Sequence, residues 1–272
     1  MDNRPIGFFD SGLGGLTAVP YLMQALPKER IVYFGDTART PYGSKAVQTI
    51  RSFSYQITDF LASKDVKMIV VPCNTVSSTC LEDLRARHPQ IPILGIISPA
   101  ARYVAENCTP ENKVGIIGTK VTIASGAYYK KILKFNPRLD IYGTPCPAFV
   151  PLIEEGIIQN EIMDLTIQYY LDHFIGYNRI DTLVLGCTHY PLIRRNITKL
   201  YPDLTIVDPS EQVLTSIMDT LSATESFAEE PQGEHIFYAS DLSENFLNMI
   251  NRIFQSSEFA IAFKNLELEG LK

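Results

Sequence analysis

Apolar residues along this chain fall into short runs separated by stretches with helical spacing. Residues 6–9, 31–34, 69–71 and 93–97 are mostly apolar runs of three to five residues bounded by Gly, Pro or Asp, which predicts strands buried on both faces. Between them lie an apolar helical pattern through Tyr21 and Leu26, a helix over residues 49–62 with Ile50, Phe53, Ile57, Phe60 and Leu61 on one face, and a helix over residues 77–88. Strands alternating with helices at this spacing predict an α/β fold with a mostly parallel sheet.

The same order then begins again. Residues 114–117, 139–142, 183–185 and 204–207 repeat the four runs at offsets of 108, 108, 114 and 111 residues, and a helix over 161–177 matches the one over 49–62. This is an internal duplication. It predicts two pseudo-symmetric, mostly parallel-sheet domains facing each other across an active-site cleft. After Val207 there is no third copy: a helix (209–221), a polar loop (223–234), a strand (235–239), a helix (243–254) and a strand (259–263) are expected to join the first domain. The expected division is therefore residues 1–97 plus 208–272, and residues 98–207.

Composition narrows the class. The 272 residues are 46% hydrophobic and 20% charged with a net charge of −6, which argues against a nucleic-acid groove but not against a small anionic ligand. No run of 18 apolar residues occurs and the first strand begins by Ile6, so neither a membrane span nor a signal peptide is expected, and the protein is expected in the cytoplasm. Five cysteines with no C-x-x-C point to reduced thiols rather than a disulfide framework.

Two of those thiols stand apart because they repeat in register. M-I-V-V-P-C-N-T (68–75) and L-V-L-G-C-T-H-Y (183–190) each end a buried strand on a cysteine, Cys73 and Cys187, at the carboxyl edge of a sheet where α/β proteins bind ligands. Cys80, Cys108 and Cys146 read as small core residues. A free thiol with a pKa of about 8.5 is about 3% thiolate at pH 7, so an enzyme using one must supply a base or lower that pKa. Asp10 at the end of the first strand and His189, two residues after Cys187, are the candidates. Two thiols of equivalent origin across a pseudo-symmetric cleft suit a racemisation, in which one group removes the Cα proton and the other returns one to the opposite face. Cys73, Cys187 and His189 could also ligate a metal, but a lone C-x-H lacks the usual paired spacing and no metal is expected. The loop D-S-G-L-G-G (10–15) has Thr17 where the third dinucleotide glycine belongs and no Gly-Lys-Ser/Thr, so it reads as a tight turn with exposed N–H groups.

I-G-F-F-D-S-G-L-G-G, G-D-T-A-R-T-P-Y-G, C-N-T, V-G-I-I-G-T, F-V-P-L-I-E and G-C-T-H-Y-P, in that order between Ile6 and Pro191, resemble the glutamate racemases of the aspartate/glutamate racemase superfamily. The resemblance implies a cofactor-independent interconversion of L- and D-glutamate, supplying D-glutamate for peptidoglycan. It implies Cys73 and Cys187 as acid/base thiols, with Asp10 assisting Cys73 and with His189 and Glu154 assisting Cys187. It further implies Asp10, Ser11, Tyr42, Gly43, Asn74, Thr75, Thr188 and His189 as substrate-binding residues. The partner implied is glutamate itself, with nucleic acid and membrane not expected and a homodimer left open. From the residues alone, Asp10 could equally be a helix cap, Glu154 a first-turn helical carboxylate and Tyr42–Gly43 an ordinary turn. Pro72 departs from the small residue expected in most glutamate racemases and makes Pro-Cys-Asn-Thr resemble aspartate racemases, whereas His189 replaces the acidic residue those carry.

Overall fold

Every predicted apolar run is a strand. In a computed structural model, which describes residues 1–230, 233–242, 244–254 and 259–264, the strands are β1 (Ile6–Asp10), β2 (Ile31–Gly35), β3 (Met68–Val71), β4 (Ile93–Gly95), β5 (Lys113–Gly118), β6 (Asp140–Pro145), β7 (Thr182–Gly186), β8 (Thr205–Val207), β9 (His235–Ala239) and β10 (Phe259–Phe263). Pro231 and Gln232 of the expected polar loop, Ser243 of the expected helix, and 255–258 and 265–272 of the expected first domain lie outside the described residues.

Among the described residues the strands form two sheets, ordered β10-β9-β2-β1-β3-β4 and β6-β5-β7-β8, and each ladder is parallel. The order β2-β1-β3-β4 therefore recurs as β6-β5-β7-β8, the duplication expressed as topology. The central ladders also agree in register, Ile6 opposite Met68 in one sheet and Val114 opposite Thr182 in the other. The flanking strands correct two offsets. Ile31 lies opposite Ile6 and Ile141 opposite Val114, so β2 and β6 are 110 residues apart rather than 108. Ile93 lies opposite Ile69 and Ile206 opposite Leu183, which makes β4 and β8 113 apart rather than 111. Each slip is two residues, and a two-residue slip leaves the same side chains facing the core, so hydrophobic pattern does not detect it.

A second difference concerns the helix expected over residues 77–88. It is two helices, Asn74–Thr79 and Leu81–Arg87, broken at Cys80 with φ −137° and ψ 13°. Ser78 and Thr79 hydroxyls both donate to the Thr75 carbonyl and Ser77 to that of Val71, local bonds that compete with helix continuation.

One apolar core joins the two sheets at their back. It runs from Ile6 and Phe8 of β1, through Ala100 and Val104 of the helix Ile97–Asn107 and Val213 and Ile217 of the helix Pro209–Ala223, to Val114, Leu183 and Val184 of the second sheet. The faces that meet in front of this joint carry hydroxyls, thiols and glycines instead. Among the described residues no helix is long and apolar enough to cross a membrane.

Candidate active site

In each sheet the chain leaves the first central strand to one side and returns on the other, so the order reverses between β1 and β3 and between β5 and β7. Loops diverge at such a point and leave a crevice at the carboxyl ends of the strands. Cys73 follows β3 and forms the N-cap of Asn74–Thr79; Cys187 follows β7 and leads into a 3-10 turn, Tyr190–Ile193, before the helix Arg194–Leu200. Both are buried and free of disulfides, and both line one cavity of about 20 Å³.

The same cavity wall includes Ser11, Tyr42, Gly43, Asn74, Thr75, Thr188 and His189. Asp10 and Glu154 stand behind it. The Tyr42 hydroxyl is turned away, donating to Asp36, which also accepts from Arg39 and from Ser240; the loop reaching the cavity is thus fixed from below by a buried ion pair. Sequence reasoning missed Thr40, Pro41, Thr119 and Val150, which also line the cavity. The duplication held a signal for one of them, since the offset of 108 that maps Ile6 on Val114 maps Ser11 on Thr119.

The expected exposed amides of the glycine loop are already used. Gly12 and Gly15 N–H donate to Asp10 Oδ2 at 3.2 and 2.9 Å, because the loop folds back over the carboxylate. Gly14 serves the close approach of the two halves: a Cβ there would fall 2.3 Å from Thr188 Oγ1 and 2.6 Å from His189 Nδ1. Gly43 likewise leaves room for Thr119, whose Cβ would be 2.4 Å from an added methyl group.

The two thiols have different company. Cys73 Sγ lies 3.4 Å from Ser11 Oγ. Burial, with the Asp10 carboxyl beside it, pushes the Cys73 thiol well above its ordinary pKa. Burial also raises Asp10, against the charge of His189 and the Gly15 and Gly12 amides. Cys187 Sγ lies 3.8 Å from His189 Nδ1, whose Nε2 is 3.0 Å from Glu154 Oε1. Burial opposes charge on His189, yet its bonds to Cys187 and Glu154 outweigh that and raise it to about 10. Thr40 Oγ1 reaches the same Glu154 oxygen from the first half at 3.3 Å. Burial thus favours the neutral thiol at Cys73, while Cys187 faces a histidine whose partners favour its proton.

A family model described as Asp/Glu/Hydantoin racemase matches residues 18–216. The chain belongs to that family, among the glutamate racemases. Membership makes it an enzyme of the isomerase class. It is 42% identical over 254 residues to the glutamate racemase of Geobacter metallireducens, covering 93% of each chain. The structure of the Francisella tularensis glutamate racemase in complex with D-glutamate superposes with a TM-score of 0.91 at 37% identity, over 98% of this chain and 100% of that one. A Bacillus anthracis glutamate racemase isoform matches with a TM-score of 0.90 at 31% identity, over 97% and 98%.

Proposed function

We propose that this racemase interconverts L- and D-glutamate by a two-base mechanism without a cofactor, with Cys73 and Cys187 as the acid/base pair. The observation that carries the reading is the pair itself: two free thiols from equivalent strand ends of a duplicated fold on the wall of one cavity. In the resting enzyme Cys73 is the thiol. Where Cys187 serves as the base, its thiolate faces His189 Nδ1, and His189 Nε2 pairs with Glu154. The Cys187 thiolate takes the Cα proton from one enantiomer, and Cys73 gives its own to the opposite face of the carbanion. In the other direction Cys73 must act as base and Cys187 as acid. Asp10, buried and raised, accepts the Cys73 thiol proton. His189 Nδ1–H passes its proton to Cys187, which then gives it to the opposite face of the carbanion.

The cavity wall contains no lysine or arginine among the described residues. The substrate carboxylates are then held by neutral donors: the Ser11, Thr75, Thr119 and Thr188 hydroxyls and the Asn74 amide, whose Nδ2 is buried with no partner among the described residues. A volume of about 20 Å³ holds one water and no amino acid. Substrate entry therefore requires the halves to part, and closure excludes water from the carbanion. We take the moving parts to be residues 1–97 with 208–272, and residues 98–207. The need for two reduced thiols suits the cytoplasm, and D-glutamate made there serves peptidoglycan assembly.

Purified protein incubated with L-glutamate, a chelator and no added cofactor should yield a racemic mixture by chiral chromatography. Unchanged L-glutamate would overturn the reading, and faster turnover of aspartate would move the substrate assignment. Restored growth of a D-glutamate auxotroph on expression of the chain tests the peptidoglycan role.

A further inference from the structure

Asn74 opens the helix after Cys73 and its side chain lines the cavity. Its Oδ1 accepts from the hydroxyl of Tyr128 at 2.6 Å, and this bond joins the two halves, because Tyr128 belongs to the helix Ala127–Phe135 packed on Ile97–Asn107 beside the second sheet. Both residues are buried. Asn74 Nδ2, the other arm of the same amide, has no partner among the described residues. An amide so placed has two orientations. Turned over, it would set its oxygen on the cavity wall, facing a carboxylate, and would leave the phenol proton without the acceptor it now has.

We propose that Tyr128 is a positioning residue: from the second half its hydroxyl holds the Asn74 amide with the NH₂ edge toward the cavity, so that closing the cleft is what presents this donor to a substrate carboxylate. The phenol suits the task because burial keeps it protonated far above neutral pH, making it a donor throughout the working range. The inference rests on the glutamate racemase reading above. It makes substrate affinity depend on a residue that does not line the cavity.

Steady-state kinetics of the wild type, Tyr128→Phe, Asn74→Ala and the double variant test it. Tyr128→Phe should raise KM about tenfold and leave kcat within about threefold, as expected when a ground-state binding group is lost. Asn74→Ala should raise KM by a similar factor, and adding Tyr128→Phe to it should change nothing further, since the two act as one unit. An unchanged KM in either single variant overturns the proposal, so the Asn74→Ala arm decides even where Tyr128→Phe does not fold. An equal further rise in KM on adding Tyr128→Phe to Asn74→Ala also overturns it. A wild type that racemises glutamate in that last case keeps the functional reading intact, whereas a wild type without turnover removes the reading itself.

Discussion

The half of the site built around Cys73 and the half built around Cys187 began as copies, and the differences between them are chemical rather than architectural. Both thiols end the third strand of the same four-strand unit. Behind Cys73 stands a buried carboxylate, Asp10, at the end of β1; the offset that aligns β1 with β5 puts Gly118 at the equivalent position. Cys187 has instead a histidine two residues on and a glutamate from the helix Phe149–Glu154. A racemase needs one acid and one base at any instant. Two thiols in identical surroundings would share one pKa, and much of the enzyme would sit with both protonated or both ionised. Duplication supplied the symmetric placement, and divergence gave the two thiols different partners.

The largest test of this contrast removes the thiols. Cys73→Ala and Cys187→Ala should each lower kcat for racemisation by at least about 10²–10⁴, the usual worth of a positioned acid or base, measured by circular dichroism of glutamate. Near-full activity in either variant would break the pairing. Next in size are the helpers. Asp10→Asn and His189→Asn should each cost about 10² in kcat, but in opposite directions of reaction, Asp10→Asn slowing most the direction in which Cys73 is base. Because the enantiomers have equal free energy, kcat/KM must fall equally both ways. The asymmetry is read in kcat, and equal losses of kcat in both directions would contradict the division of labour.

The third test uses pH. His189 is raised from 6.5 to about 10 by Cys187 and Glu154, so activity that starts from the Cys187 thiolate should fall as pH rises through about 10. The sign for stability is the same: a cation favoured by the fold contributes fully below pH 6.5, and that contribution is lost as pH rises from there through about 10. Thermal melting across this range should therefore fall more steeply in the wild type than in His189→Asn. The smallest effect is expected from Glu154→Gln, which keeps a hydrogen-bond acceptor but removes the charge. It should lower kcat about 5- to 10-fold, the worth of one charge-assisted bond, and shift the alkaline limb to lower pH. An unmoved limb would separate Glu154 from the histidine's titration.

Much of this was legible in the sequence because strands buried on both faces leave unbroken apolar runs and because the cysteines repeat with them. The strands and their duplication follow from that alone, whereas the sheet order and its switch points came with the structure. Glu154 was reachable only through the family resemblance: read from the residues alone as a first-turn carboxylate, it is instead the last residue of the helix Phe149–Glu154, and its meaning comes from His189, 35 residues away. Thr40 and Tyr128 left no pattern, since their bonds to Glu154 and Asn74 exist only where the two halves meet. The register of β6 was misread for a related reason. β6 is an edge strand with no fully buried residue, so its apolar residues do not mark where pairing begins and ends.

The central claim is that two thiols, one on each face of the substrate, share the proton transfers. The direct measurement starts the reaction from a single enantiomer of glutamate in heavy water and follows deuterium at Cα of both enantiomers at early times. The two-thiol account predicts deuterium in the product enantiomer and almost none in the remaining starting material. Deuterium accumulating equally in the starting enantiomer would mean that one base serves both faces, and the account would be wrong.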